Sequence, residues 1–201
     1  MHFTKSSNQN AILLYTELDI IKGCKNNSSS AQQLLYTRYA PVLKSVCIRY
    51  VKDKDDAKDV LHDSFIKIFN LIGKYKGEGS FEGWLKRIVI NMALDYVKKR
   101  QKNKFVSTDN WDIAEKEEEA ETGLDVLLNA GFSADDLLAM LQNIQTDYAM
   151  VFNMFYIDKL SHKEIAELLT IDENTSRTRL FRAKVQLKKE LEKQLTKLRK
   201  N

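Results

Sequence analysis

At 201 residues and 43% hydrophobic content the chain can bury one core or two, and one proline with seven glycines favours helices over strands. The 32 Lys and Arg against 28 Asp and Glu leave a net charge of +4, which excludes a uniformly basic or acidic protein. No apolar run approaches a membrane span, no signal-peptide core opens the chain, and Cys24 and Cys47 are too few for a zinc site or disulfide framework.

Four helices are predicted in the first half, at about 11–24, 30–51, 54–73 and 80–101. In the third, Asp56, Asp59 and Asp63 fall at i, i+3 and i+7 beside Val60, Leu61, Phe65, Ile66, Ile68 and Phe69. Read from the residues alone, those carboxylates solubilise the helix. No coordinating cluster surrounds them, so a metal role is not expected. The loop "GKYKGEGSF" follows, with Lys74, Tyr75 and Lys76 among Gly73, Gly77 and Gly79. It lacks the Gly-Lys-Ser/Thr ending of a phosphate-binding loop.

The fourth helix places Phe81, Leu85, Ile88, Val89, Met92 and Tyr96 on one face and Arg87, Asn91 and Lys98 on the other. Trp84 sits at the edge of the polar face, where it serves either as core or as a stacking platform for an unpaired base.

Charge then changes sign along the chain. Residues 1–102 carry 18 Lys and Arg against 10 acids, residues 103–136 carry 2 against 10, and residues 137–201 carry 12 against 8. The acidic stretch "DNWDIAEKEEEAETGLD" reads as a solvated linker between two helical domains. The expected boundaries are 1–102, 103–132 and 133–201.

In the last domain Ser161 and Glu164 form a capping box ahead of Ile165, Ala166, Leu168 and Leu169. Thr170, Ile171 and Asp172 interrupt the pattern, and Asp172 can cap a second helix. There Ser176, Leu180, Ala183, Leu187 and Leu191 recur at spacings of 4, 3, 4 and 4. Asn174, Thr178, Arg182 and Val185 lie opposite, with Arg177 and Arg179 on the flanks. Two short helices joined this way are either a helix-turn-helix, whose second helix reads a major groove, or an ordinary amphipathic pair with a solvated basic face.

"DAKDVLHDSFIKIFN" (Asp56–Asn70), "FEGWLKRIVINMALDYVKKRQK" (Phe81–Lys102) and the helix-turn-helix, in that order, resemble the sigma subunits of bacterial RNA polymerase. The similarity is to the short, two-domain extracytoplasmic-function class, over residues from about 17 to 102 and 133 to 194. Recurring apolar-periodic stretches without alternating valine-rich strands make the expected fold all-α, and two isolated cysteines suit a cytosolic protein with reduced thiols; the resemblance implies that it selects promoters and aids DNA melting.

Residue by residue, the resemblance implies that Asp56, Asp59, Val60, Asp63, Phe65, Ile66 and Phe69 dock on the polymerase clamp. His62 stands where the family usually has glutamine. Lys74, Tyr75, Trp84, Arg87, Asn91, Lys98, Lys99 and Arg100 would hold the single-stranded minus-ten element. Asn174, Thr175, Arg177, Thr178, Arg179 and Arg182 would read the duplex minus-thirty-five element.

In this sequence Thr170-Ile171-Asp172 and Asn174-Thr175-Ser176 replace the family's common Gly-Ile-Ser and Gly-Thr-Val, and Ile144-Gln145 replaces its Leu-Pro. The linker would thread the polymerase towards the RNA exit channel. The implied partners are core polymerase, promoter DNA and an anti-sigma factor. No cofactor, metal or membrane insertion is expected.

Two rival classes remain. A conventional helix-turn-helix regulator explains the last domain but not the tryptophan-bearing basic helix. A hydrolase fares worse: His2, His62 and His162 assemble no nucleophile–base or metal constellation, so no catalytic residue is expected.

Overall fold

Thr16 caps the first helix among the described residues. Its hydroxyl accepts the Asp19 N–H at 3.2 Å, and the Asp19 carboxylate accepts the Thr16 N–H at 3.1 Å. The reciprocal pair satisfies donors that the first helical turn leaves open. Helix α1 therefore runs Glu17–Lys25, a start later than the sequence suggests. The computed structural model describes residues 15–100 and 132–198; residues 11–14 of the expected first helix lie outside them.

Helix α2 spans Ser29–Tyr50 and is capped by Ser28. Pro41 falls inside it on the exposed side, where the hydrogen bond the ring removes can be replaced by water. Asp53 caps α3 (Lys54–Leu71) by accepting the N–H groups of Asp55 and Asp56 at 2.9 and 3.0 Å. A 3-10 turn at Ile72–Lys74 ends that helix before the loop. Helix α4 covers Phe81–Arg100, opened by Ser80, whose hydroxyl accepts the Gly83 N–H at 3.0 Å.

Helices α2, α3 and α4 pack on one another, and α1 packs on α2 and the 3-10 turn. The shared core contains Ile20 and Cys24, then Leu35, Tyr39, Leu43 and Val46, then Val60, Phe65 and Ile68, then Phe81, Leu85 and Val89. The buried face of α4 is wider than the sequence stripe. Ile90, Ala93, Leu94 and Val97 are also buried, while Met92 and Tyr96 are half-buried.

The second group holds α5 (Ala134–Asn143), α6 (Thr146–Phe152), a π turn (Asn153–Ile157), α7 (His162–Leu169) and α8 (Glu173–Leu198). Helix α8 packs on α5, α6 and α7. Its stripe of Ser176, Leu180, Ala183, Leu187 and Leu191 is buried throughout, against a core that includes Met140, Val151, Phe152 and Ile165.

The fold is all-α: the described residues form eight α-helices and no strand. The chain divides into two compact units, Met1–Phe105 and Val106–Asn201. The acidic linker at 103–132 lies almost wholly outside the described residues.

Candidate nucleic-acid interface

An aromatic cluster sits where the loop meets α4. Tyr75 lies 5.1 Å from Phe81 and 5.3 Å from Trp84, and Phe81 stacks on Trp84 at 5.8 Å with 14° between the rings. Phe81 and Tyr75 are buried, and Trp84 is half-buried. Trp84 therefore packs on the cluster, as the core reading expects, while part of it stays accessible to solvent.

Tyr75 differs from its expected role. Its hydroxyl donates to the Gly79 carbonyl at 3.1 Å and the residue is only 8% exposed, so it backs the cluster instead of facing outward. Lys74, Arg87, Asn91, Lys98, Lys99 and Arg100 are exposed. The exposed surface of α4 thereby combines the cations Arg87, Lys98, Lys99 and Arg100 with the Asn91 amide and the half-buried Trp84.

Arg100 is already engaged. Its guanidinium donates to the Asp56 carboxylate and the Tyr96 hydroxyl. This joins two residues that the sequence assigns to different partners.

On α3, Asp59, Asp63 and Ile66 are exposed, Asp56 and Phe69 half-buried. Val60 and Phe65 are core residues at 4% and 3% exposure, so they set the helix's seat and offer no rim. The sequence reading missed Tyr36 on α2. Its ring lies 4.5 Å from Phe65, and the residue remains 47% exposed.

In the C-terminal unit, Ser161 and Glu164 form the capping box at the start of α7. Thr170 ends that helix at φ 59°, taking the left-handed position that glycine commonly fills. Asp172 accepts the Thr175 N–H at 2.7 Å and its hydroxyl at 2.7 Å, and those bonds hold its carboxyl below the usual range. Thr175 therefore belongs to the cap as much as to the surface. Ser176 meets His162 Nδ1 at 2.9 Å, and the His162 ring stacks on Phe155 at 4.7 Å. The small Ser176 and its bond fix the approach of α7 to α8.

The outward ridge of α8 begins at exposed Asn174 and Arg177. The Thr178 hydroxyl donates back to the Asn174 carbonyl at 2.9 Å. The half-buried Arg182 donates to the Tyr148 hydroxyl at 3.1 Å and lies over that ring.

Arg179 departs from its expected place on the flank. It is 7% exposed and stands 3.7 Å from Asp147. Phe181 and Val185 are 48% and 38% exposed. Val185 was expected outward, but Phe181 was missed; its signal was an apolar residue lying off the Leu180–Ala183–Leu187 stripe.

Among the described residues no group of His, Cys, Asp and Glu could hold a metal ion, and no helix is long and apolar enough to cross a membrane.

Comparison with known proteins adds six relationships. The Sigma-70 region 2 family matches residues 35–103, and the Sigma-70, region 4 family matches residues 134–187. The chain is 25% identical over 183 residues to the ECF RNA polymerase sigma-E factor of Haemophilus influenzae, covering 88% of this chain and 96% of that one. Against the ECF RNA polymerase sigma-E factor of Escherichia coli it is 24% identical over 175 residues, covering 84% and 91%.

Among solved structures, the sigma factor RpoE bound to the anti-sigma factor NepR from Bartonella quintana aligns with a TM-score of 0.53 at 17% identity, over 80% of this chain and 96% of that one. CnrH bound to the cytosolic domain of CnrY aligns with a TM-score of 0.50 at 18% identity, over 86% and 95%. The likeness to both structures is one of fold.

Proposed function

The chain belongs to the sigma-70 family, in its extracytoplasmic-function class, and we propose that its two units divide promoter recognition between melted and duplex DNA. Members of this family are transcription initiation factors, and this chain directs bacterial RNA polymerase to promoters and aids DNA melting. The bond-making chemistry is assigned to the polymerase. The proposed place of action is the cytoplasm.

Residues 1–102 form the docking and opening domain in this reading. Asp56, Asp59 and Asp63 face cations on the polymerase, while Ile66, Phe69 and Tyr36 bury apolar surface against it. Lys74, Arg87, Lys98 and Lys99 neutralise backbone phosphates, and Arg100 joins them only by leaving its pair with Asp56. Trp84 and Asn91 receive an unstacked base, with Tyr75 supporting the indole from behind.

Residues 133–201 form the duplex-reading domain. Asn174, Thr178 and Arg182 meet base edges, Arg177 meets phosphate, and Phe181 and Val185 suit thymine methyls. The acidic linker at 103–132 spans the two. An anti-sigma factor is a further partner, by analogy with the similar structures in complex with one.

The single observation that carries the reading is the order of the two family matches on one chain, region 2 then region 4. A conventional regulator has no use for the first. Run-off transcription with purified bacterial core polymerase on a genomic promoter pool tests it. Start sites that need the chain and share two upstream elements support the proposal. Strong duplex binding by the chain alone, with no chain-dependent start sites, supports the regulator instead.

A further inference from the structure

Lys25 sits in the last turn of α1, and its ammonium donates to the backbone carbonyl of Tyr75 at 2.8 Å, a bond across 50 residues of sequence. Tyr75 begins the loop that leads to α4. Gly77 and Gly79 in that loop both take positive φ, 83° and 75°, and neither has a side chain that could anchor it. Tyr75 is thus held at two points: its carbonyl by Lys25 and its hydroxyl, at 3.1 Å, by the Gly79 carbonyl.

The same residue packs against Phe81 and Trp84. Helix α1 reaches that cluster a second way, because Glu17 accepts the Tyr39 hydroxyl at 2.5 Å and Tyr39 lies edge-on to Phe81 at 5.6 Å. Lys25 is exposed, so its ammonium loses little solvation in making one carbonyl bond. The bond consequently contributes little to global stability. Its effect falls on where the loop sits.

We propose that Lys25 is a positioning residue for promoter opening: it pins the Tyr75 carbonyl and so sets the loop and the Trp84 ring to receive an unstacked base. The proposal rests on the assignment of the α4 surface to the single-stranded minus-ten element. A displacement of a fraction of an ångström matters there because stacking needs the ring face at a defined position.

The test compares full-length Lys25→Met and Lys25→Arg with the parent chain, each bound to bacterial core polymerase. Each is assayed on one promoter in two forms, fully paired and pre-melted across the minus-ten element. Lys25→Met is expected to form open complex about fivefold more slowly on the paired template, as the loss of one directed hydrogen bond implies. On the bubble both variants should match the parent, and Lys25→Arg should recover most of the rate on the paired template. Melting temperature and core affinity should not change.

A parent-like rate for Lys25→Met on paired DNA overturns the inference. So does an equal defect on both templates with a lowered melting temperature, which marks a structural role. Asn91→Ala, run in parallel, separates the two levels. If it slows only the paired template while Lys25→Met does not, the inference fails alone. If neither variant is slowed, the assignment of the α4 surface fails and the inference falls with it.

Discussion

Arg179 of α8 stands 3.7 Å from Asp147 in the first turn of α6, and both side chains are largely withdrawn from water. The pair ties the recognition helix to the body of its unit. It gives Arg179 a different consequence from its neighbours Arg177 and Arg182.

Arg179→Ala leaves a mostly buried carboxylate without this guanidinium, a change that costs roughly 3 kcal/mol of stability. Thermal or urea unfolding of the C-terminal transition should show it directly. Unchanged unfolding, together with a uniform loss of DNA affinity, would return Arg179 to the DNA surface.

The outward residues of α8 should separate by what they touch. Arg182→Ala or Thr178→Ala is expected to relax preference for the upstream element, with about 1–3 kcal/mol of discrimination lost where a good base contact disappears. Arg177→Ala should weaken binding evenly across sequences and lower the salt slope by about 1. Holoenzyme binding to a promoter library at two salt concentrations measures both. If all three variants shift every sequence equally, α8 does not read bases.

Asp59 and Asp63 are exposed on α3, so reversing their charge should leave the helix intact. The double variant Asp59→Lys with Asp63→Lys is expected to weaken core polymerase binding on the order of tenfold, because opposed charges become like charges across the docking surface. Circular dichroism should be unaltered. Undiminished affinity would make this face a solvated surface.

His162 predicts a pH dependence. Burial pushes its pKa below the ordinary 6.5, Arg177 and Lys184 push it the same way, and Glu173 opposes them. The unfolded chain then takes up the proton more readily than the folded one. The stabilisation is complete above pH 6.5 and is lost as pH falls through the depressed folded value. Melting of the C-terminal unit should therefore drop between pH ~7.5 and ~5.5 in the parent and drop less in His162→Asn. Identical pH profiles would remove His162 from the account.

Much of this architecture was legible because local signals agreed with the pattern around them. Ser161, Glu164 and Asp172 mark caps on either side of the turn, and the five residues of the α8 stripe are all buried. What the sequence hid depends on depth and on distant partners. Periodicity places Arg179 on a flank but does not know that Asp147, from another helix, meets it there. Val60 and Phe65 share a helix with three aspartates, yet both point into the core. Tyr75 looks like a loop residue until its ring is found under Trp84. The bond from Lys25 spans two elements and leaves no trace in local spacing.

The division of labour between the units is tested most directly by permanganate reactivity of thymines across the minus-ten element, with holoenzyme on paired promoter DNA. The parent chain should render them reactive. Asn91→Ala and Trp84→Ala should reduce that reactivity about tenfold, the loss expected when stacking and its neighbouring contacts go. Protection of the upstream duplex should persist in both, and Trp84→Ala should also melt at a lower temperature, since it packs on Phe81 and Tyr75. Full thymine reactivity in both variants, or upstream protection lost in step with it, would contradict the account.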